Sequence, residues 1–191
     1  MNRSYLATLA GLCLTLLAPA HAPAISPPSV PDGLEVSSAY KVFLVGHAIG
    51  TQNYFCVVSP SGVSSWTQFG PQATLFDDRY GQVATHFLSA NPDEDDKPRP
   101  TWQHSKDTSA VWGEQIAESS DPEFVEPGAI PWLKLRVVGK AAGPTGGGRM
   151  AETAYIQRVH TSGGLKPTTA CNEGDRILVP YSTDYYFYKA N

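Results

Sequence analysis

Three short stretches hold most of the side chains able to do chemistry: GQVATHFLS at 81–89, TWQHS at 101–105 and AYIQRVHTSGG at 154–164. Each reads as an extended strand, and a strand turns alternate residues to opposite faces. In the first, Ala84, His86 and Leu88 share a face, opposite Val83, Thr85 and Phe87. Both faces are mostly apolar, so His86 is expected to be covered. A covered neutral imidazole either is held by a hydrogen bond as part of the core or offers its second nitrogen to a ligand.

TWQHS puts Trp102 and His104 on one face, with Trp112 just across the KDTS turn. If the two strands form a hairpin, an indole–imidazole–indole group lines a pocket; aromatic packing across strands in a core explains the tryptophans equally well. In the third stretch, Ala154, Ile156, Arg158 and His160 fall on one face and Thr153, Tyr155, Gln157 and Val159 on the other. Arg158 cannot give up its proton, so a buried position demands a carboxylate or several carbonyls around it. Asp77, Glu114 and Asp184 are the candidate anions, and the alternative to a structural ion pair is a ligand clamp. The candidate ligand-binding set is therefore His86, Trp102, His104, Gln157 and Arg158.

Other chemistries leave no pattern. The histidines at 47, 86, 104 and 160 show no HxH or HExxH spacing, so no metal site is expected. There is no GxSxG elbow, no CxxC redox pair and no strand–GxGxxG–helix unit for a dinucleotide, and no cofactor is expected. GPTGGGR at 143–149 lacks the ending of a phosphate loop and reads as a hairpin loop. SANPDEDDKPRP at 89–100 reads as a solvated loop whose acids lack calcium-binding spacing.

The elements that must position these residues are strands. Runs rich in Val, Ile, Tyr, Phe and Trp fall at 39–45, 51–58, 65–69, 82–88, 101–105, 110–117, 130–138, 151–161, 176–179 and 183–189. They are separated by GHAIG, SPSG, FGP, DDRYG, KDTS and KAAGPTGGG, while apolar residues nowhere persist at helical spacing. Short connections force antiparallel pairing, and a single open sheet would leave an apolar face wet. An all-β fold follows: one antiparallel domain at 39–191, a sandwich or a closed barrel, with little helix.

The beginning of the chain places the protein. Residues 1–24 combine Arg3, an apolar stretch and small residues, the pattern of a secretory signal peptide with cleavage after Ala20 or Ala24. Residues 25–38 form a proline-rich leader that reads as an extended tether. No segment reaches the roughly 20 apolar residues of a membrane-spanning helix, and the strands are too short and too mixed for a lipid-embedded barrel. The expectation is a soluble, exported protein, periplasmic or extracellular. Losing the signal moves the formal charge from −4 to −5, which gives no reason to bind nucleic acid or anionic lipid. Cys56 and Cys171 remain, either as one bridge or as two separate buried thiols.

Seven stretches in order, VPDGLEV, GTQNYFCV, ATLFDD followed by GQVATHF, TWQHSKDTSAVWGE, GAIPWLKLR, AYIQRVHTSGG and VPYSTDYYFY, resemble the secreted bacterial and fungal proteins grouped as domain of unknown function 3455. That resemblance implies export but no activity, since none is established for the group. Three functions therefore stand side by side: binding of a small or polymeric ligand, hydrolysis by a histidine–carboxylate pair, and a protein-interaction module of the cell envelope.

Overall fold

The computed structural model describes residues 25–144 and 146–191; the signal peptide expected at 1–24 lies outside them. Eight strands, β1 (Tyr40–Val58), β2 (Ser64–Phe76), β3 (Gln82–Asn91), β4 (Lys97–His104), β5 (Ala110–Ser119), β6 (Trp132–Ala141), β7 (Tyr155–Gly163) and β8 (Arg176–Ala190), form one closed barrel. Every strand pairs antiparallel with its neighbour in sequence, and β1 closes the ring by pairing with β8 from Tyr40↔Ala190 to Phe55↔Arg176. Of the two architectures left open by the sequence, the barrel is the one adopted. Besides strands, the described residues contain two single 3-10 turns, at Pro92–Glu94 and Met150–Glu152.

Two expected turns are strand instead. GHAIG runs straight through the 19-residue β1, and FGP lies within the 13-residue β2. The glycines there serve packing. A Cβ on Gly46 would come 2.7 Å from Leu75 Cδ2, and one on Gly50 would come 2.1 Å from the Gln72 carbonyl oxygen. They leave room inside a tightly curved barrel, which is the other use of glycine in a strand. The runs at 176–179 and 183–189 likewise merge into β8 across Pro180.

A meander sends its connections alternately to the two ends of the barrel. The β2–β3, β4–β5 and β6–β7 connections meet at one end, where Met150 is fully buried and joins Leu44, Leu75, Ala84, Val111, Ile156 and Phe187 in the core. That end is closed. The β5–β6 and β7–β8 connections meet at the other end and leave it open, as described below. Outside the barrel a second apolar cluster forms where Leu34, only 1% exposed, packs with Val125, Ala129, Trp132 and Val159. The leader expected to be an extended tether is laid against the barrel wall: Gln157 Nε2 donates to the Leu34 carbonyl at 2.6 Å and Lys134 Nζ to that of Gly33 at 2.6 Å. The sequence underrated one apolar residue, Leu34, among the prolines.

Cys56 and Cys171 form a disulfide across 115 residues. It pins the β7–β8 connection to the end of β1, assisted by Trp66 Nε1 donating to the Thr169 carbonyl at 3.1 Å. For a loop of this length, replacing both cysteines by alanine should cost about 2–5 kcal/mol in urea unfolding. Reduction of the wild type should give the same loss; an unmoved midpoint would show that the bridge does not constrain the unfolded chain.

Candidate functional site

The open end of the barrel holds a cavity of about 500 Å³, whose walls include Gln52, Tyr54, His86, Trp102, Leu133, Leu135, Arg158 and Tyr185. Pro131 from the β5–β6 connection and Leu165 and Lys166 from the β7–β8 connection complete its rim. An eight-stranded barrel is just wide enough to be filled by side chains or to hold one small ligand. Here side chains fill the closed end, and the open end holds the cavity.

The floor is set by ladder register. His86 lies opposite Trp102 in the β3–β4 pair, and inward alternation brings the rings together at 4.2 Å with 11° between their planes. Tyr185 meets both edge-on, at 5.1 Å from His86 and 5.3 Å from Trp102. His86 is 3% exposed and its Nδ1 stands 2.9 Å from the Thr101 carbonyl. A carbonyl can only accept, so Nδ1 carries the proton and Nε2 presents a lone pair. Burial holds this imidazole's pKa down to about 3, and the Arg158 charge pushes the same way against the Thr101 hydrogen bond.

Arg158 projects inward from β7, where it pairs with Leu133 on one side and Tyr185 on the other. Its Nε and Nη2 both donate to the Pro131 carbonyl, at 3.2 and 2.7 Å. That accounts for two of the five N–H donors of a guanidinium. Among the described residues no carboxylate pairs with it, because each expected partner is engaged elsewhere. Glu114 takes Arg99 at 3.0 Å and Arg136 at 2.7 Å. Asp184 takes His47 at 2.6 Å and His160 at 2.8 Å. Asp77 caps its own turn by accepting from the Arg79 and Gly81 amides at 2.9 and 2.8 Å. Arg99 also binds Glu94 at 2.6 Å; the segment at 89–100, expected as a solvated loop, is the end of β3, the turn at Pro92–Glu94 and the start of β4, with Asp93, Asp95 and Asp96 exposed.

The positive field of Arg158 falls instead on Tyr54, His86, Tyr181 and Tyr185. Burial holds all three phenols in their neutral form, above the ordinary tyrosine range. The Tyr185 hydroxyl sits near the guanidinium and the Tyr181 hydroxyl, yet neither hydroxyl, nor Trp102 Nε1 or Gln52 Nε2, meets a partner in hydrogen-bond geometry. Buried polar atoms left this way are uncommon and call for an explanation.

Of the sequence candidates, His86, Trp102 and Arg158 converge on the cavity. His104 faces inward too but at the closed end, where Nδ1 lies 3.0 Å from Asp107 Oδ1. Gln157 points outward and holds the leader, also accepting from the Tyr188 hydroxyl. Trp112 pairs with Thr101, one residue out of phase with Trp102, so it lies on the outer face and donates to Ser89 Oγ at 3.0 Å. His160 was expected to share the face of Arg158; a register shift after Val159, with His160 at φ 50°, turns it outside to Asp184. Gln52, Tyr54 and Tyr185 complete the site and had no distinguishing signal beyond strand alternation.

The neutral state of His86 has a consequence for stability. The unfolded imidazole titrates near 6.5 and the native one near 3, so between these values the unfolded chain holds the extra proton. The contribution is complete above pH 6.5 and is lost as pH falls toward 3, at up to about 1.4 kcal/mol per pH unit. His86→Phe keeps a ring against Trp102 without titrating. Between pH 6.5 and 4 the wild type should lose stability to urea more steeply than this variant; parallel slopes would mean that His86 is not held neutral.

No curated protein and no solved structure matches the chain. The family model described as "Protein of unknown function (DUF3455)" matches residues 36–189, which takes in all eight strands but for the last residue of β8, together with every residue of the cavity wall. With most of its length so matched, the chain belongs to the DUF3455 family.

Proposed function

We propose that the protein is an exported, non-catalytic binding protein that takes a small organic molecule into the open end of its barrel. The observation that carries this reading is the half-buried Arg158, facing a preformed cavity with no carboxylate among the described residues to neutralise it. A cation withdrawn from water without an anion costs stability, and folds retain such arrangements where a ligand completes them. The wall around it is mostly apolar, with Tyr54, Trp102, Leu133, Leu135 and Tyr185, which suits an organic body rather than a free ion.

The hydrolytic alternative finds less support. His86 is the imidazole on the cavity wall, and its Nδ1 is oriented by a backbone carbonyl rather than by a carboxylate. With a pKa near 3 it is a weak base. No serine or cysteine stands among the described wall residues to act as its nucleophile.

Export rests on the signal-like residues 1–24 and on the Cys56–Cys171 bridge, which belongs to an oxidising compartment. The inward-facing apolar residues, Leu75, Leu135, Ile156 and Phe187 among them, and the outward Lys41 and Arg136 reverse the pattern of a lipid-embedded barrel. Mass spectrometry of protein recovered from the expressing cell should find a mature chain beginning at His21 or Ile25; an intact Met1 would contradict export.

Binding itself is read by NMR of the isotope-labelled mature protein against a library of small organic fragments. Shifts concentrated on Tyr54, His86, Trp102, Leu133, Arg158 and Tyr185 are expected. Shifts scattered over the outer surface, or none for any fragment, would overturn the reading.

A further inference from the structure

The cavity's electrostatics say what kind of molecule belongs there, an inference that rests on the binding reading above. Among the described residues three charged side chains touch the cavity: Arg158 within it, and Lys166 and Glu118 at its rim. Glu118 is exposed and accepts from Gln115 Nε2 at 2.8 Å, so it does not reach in to neutralise the guanidinium. The balance is one net positive charge, with its deepest member unpaired.

The guanidinium is also fixed in direction. Nε and one side of Nη2 grip the Pro131 carbonyl; the three N–H donors on the edge formed by Nη1 and the other side of Nη2 meet no acceptor in hydrogen-bond geometry among the described residues, with the Tyr185 hydroxyl lying close by. Two parallel donors on that edge match the two oxygens of a carboxylate, the pairing for which a planar fork is suited and a lysine ammonium is not. Leu133, Leu135 and Pro131 line the space beside the guanidinium and offer no second charge there, while the other cation, Lys166, stands at the rim. A dianion or a phosphate would keep part of its charge unpaired here. On the floor, His86 Nε2 accepts but cannot donate, because Nδ1 holds the one ring proton.

We propose that the barrel binds a small organic monocarboxylate with an apolar body, its carboxylate seated on the free edge of Arg158 and, where the body carries a hydroxyl, that group donating to His86 Nε2. A neutral sugar would find partners in Gln52 Nε2 and Trp102 Nε1 but would leave the Arg158 charge unmatched. A polycarboxylate would find one net positive charge, with Lys166 only at the rim and offset there by Glu118.

The test is a titration of the mature protein, followed by calorimetry and by tryptophan fluorescence, with 4-hydroxycinnamate, benzoate and octanoate and with the methyl ester of each. Each ester keeps the body and removes the charge. The expected result is that at least one acid binds about tenfold or more tightly than its ester, and that Arg158→Gln brings the two to within about twofold by weakening the acid alone. Arg158→Lys, which keeps the charge without the fork, should fall between. If acids and esters bind the wild type equally, the carboxylate inference is overturned while cavity binding stands. If no acid and no ester binds, both are overturned. Because the decisive comparison of acid with ester is made within the wild type, a failure of Arg158→Gln to fold does not remove it.

Discussion

The pairing of β1 with β8 is the constraint on which everything else rests. It turns an eight-stranded meander into a ring, removes the two exposed sheet edges and gives every strand an inside and an outside. Once the ring is closed, period-two alternation decides the fate of each side chain, and a single slip of register reverses it. His86, Trp102 and Tyr185 meet because three separate strands are held in phase; Trp112 is excluded from them by one residue of offset. The long β1 needs glycine at 46 and 50 to pass this close to β2, so backbone curvature and site geometry share a cause.

The same closure separates charges that would otherwise find each other. The carboxylates of Glu114 and Asp184 lie outside the ring, each shared between two cations or imidazoles. Arg158 lies inside, where a backbone carbonyl orients it without cancelling its charge. The barrel thus stores an uncompensated positive charge next to phenols and an imidazole that burial keeps neutral. A carbonyl partner fixes the direction of Arg158, and no carboxylate among the described residues cancels its charge.

Much of this architecture was legible in the chain. Alternation placed Ala84 with His86 on a covered face, the strand-rich runs and the scarcity of helix announced an antiparallel β fold, and the two cysteines left after the expected signal cleavage do bridge. What escaped depends on distance in space. The sequence marks glycines as turns because flexibility is their commoner use, and only the neighbouring Leu75 reveals Gly46 as a packing device. The bulge at His160 costs one residue of phase and cannot be read from composition. Above all, the isolation of Arg158 is a property of where three acidic residues are not, and that is invisible until each is found occupied elsewhere.

The most direct test of the account is a crystal structure of the mature protein purified from its native source, with the electron density examined against the free edge of Arg158. The account expects a bound organic anion in the open end, two of its oxygens facing the guanidinium and its body on the Tyr54–Leu133–Leu135 wall. A carboxylate of the chain itself turned inward onto Arg158, such as that of Glu118, would contradict it, since the charge would then be internally satisfied and the cavity would need no anion.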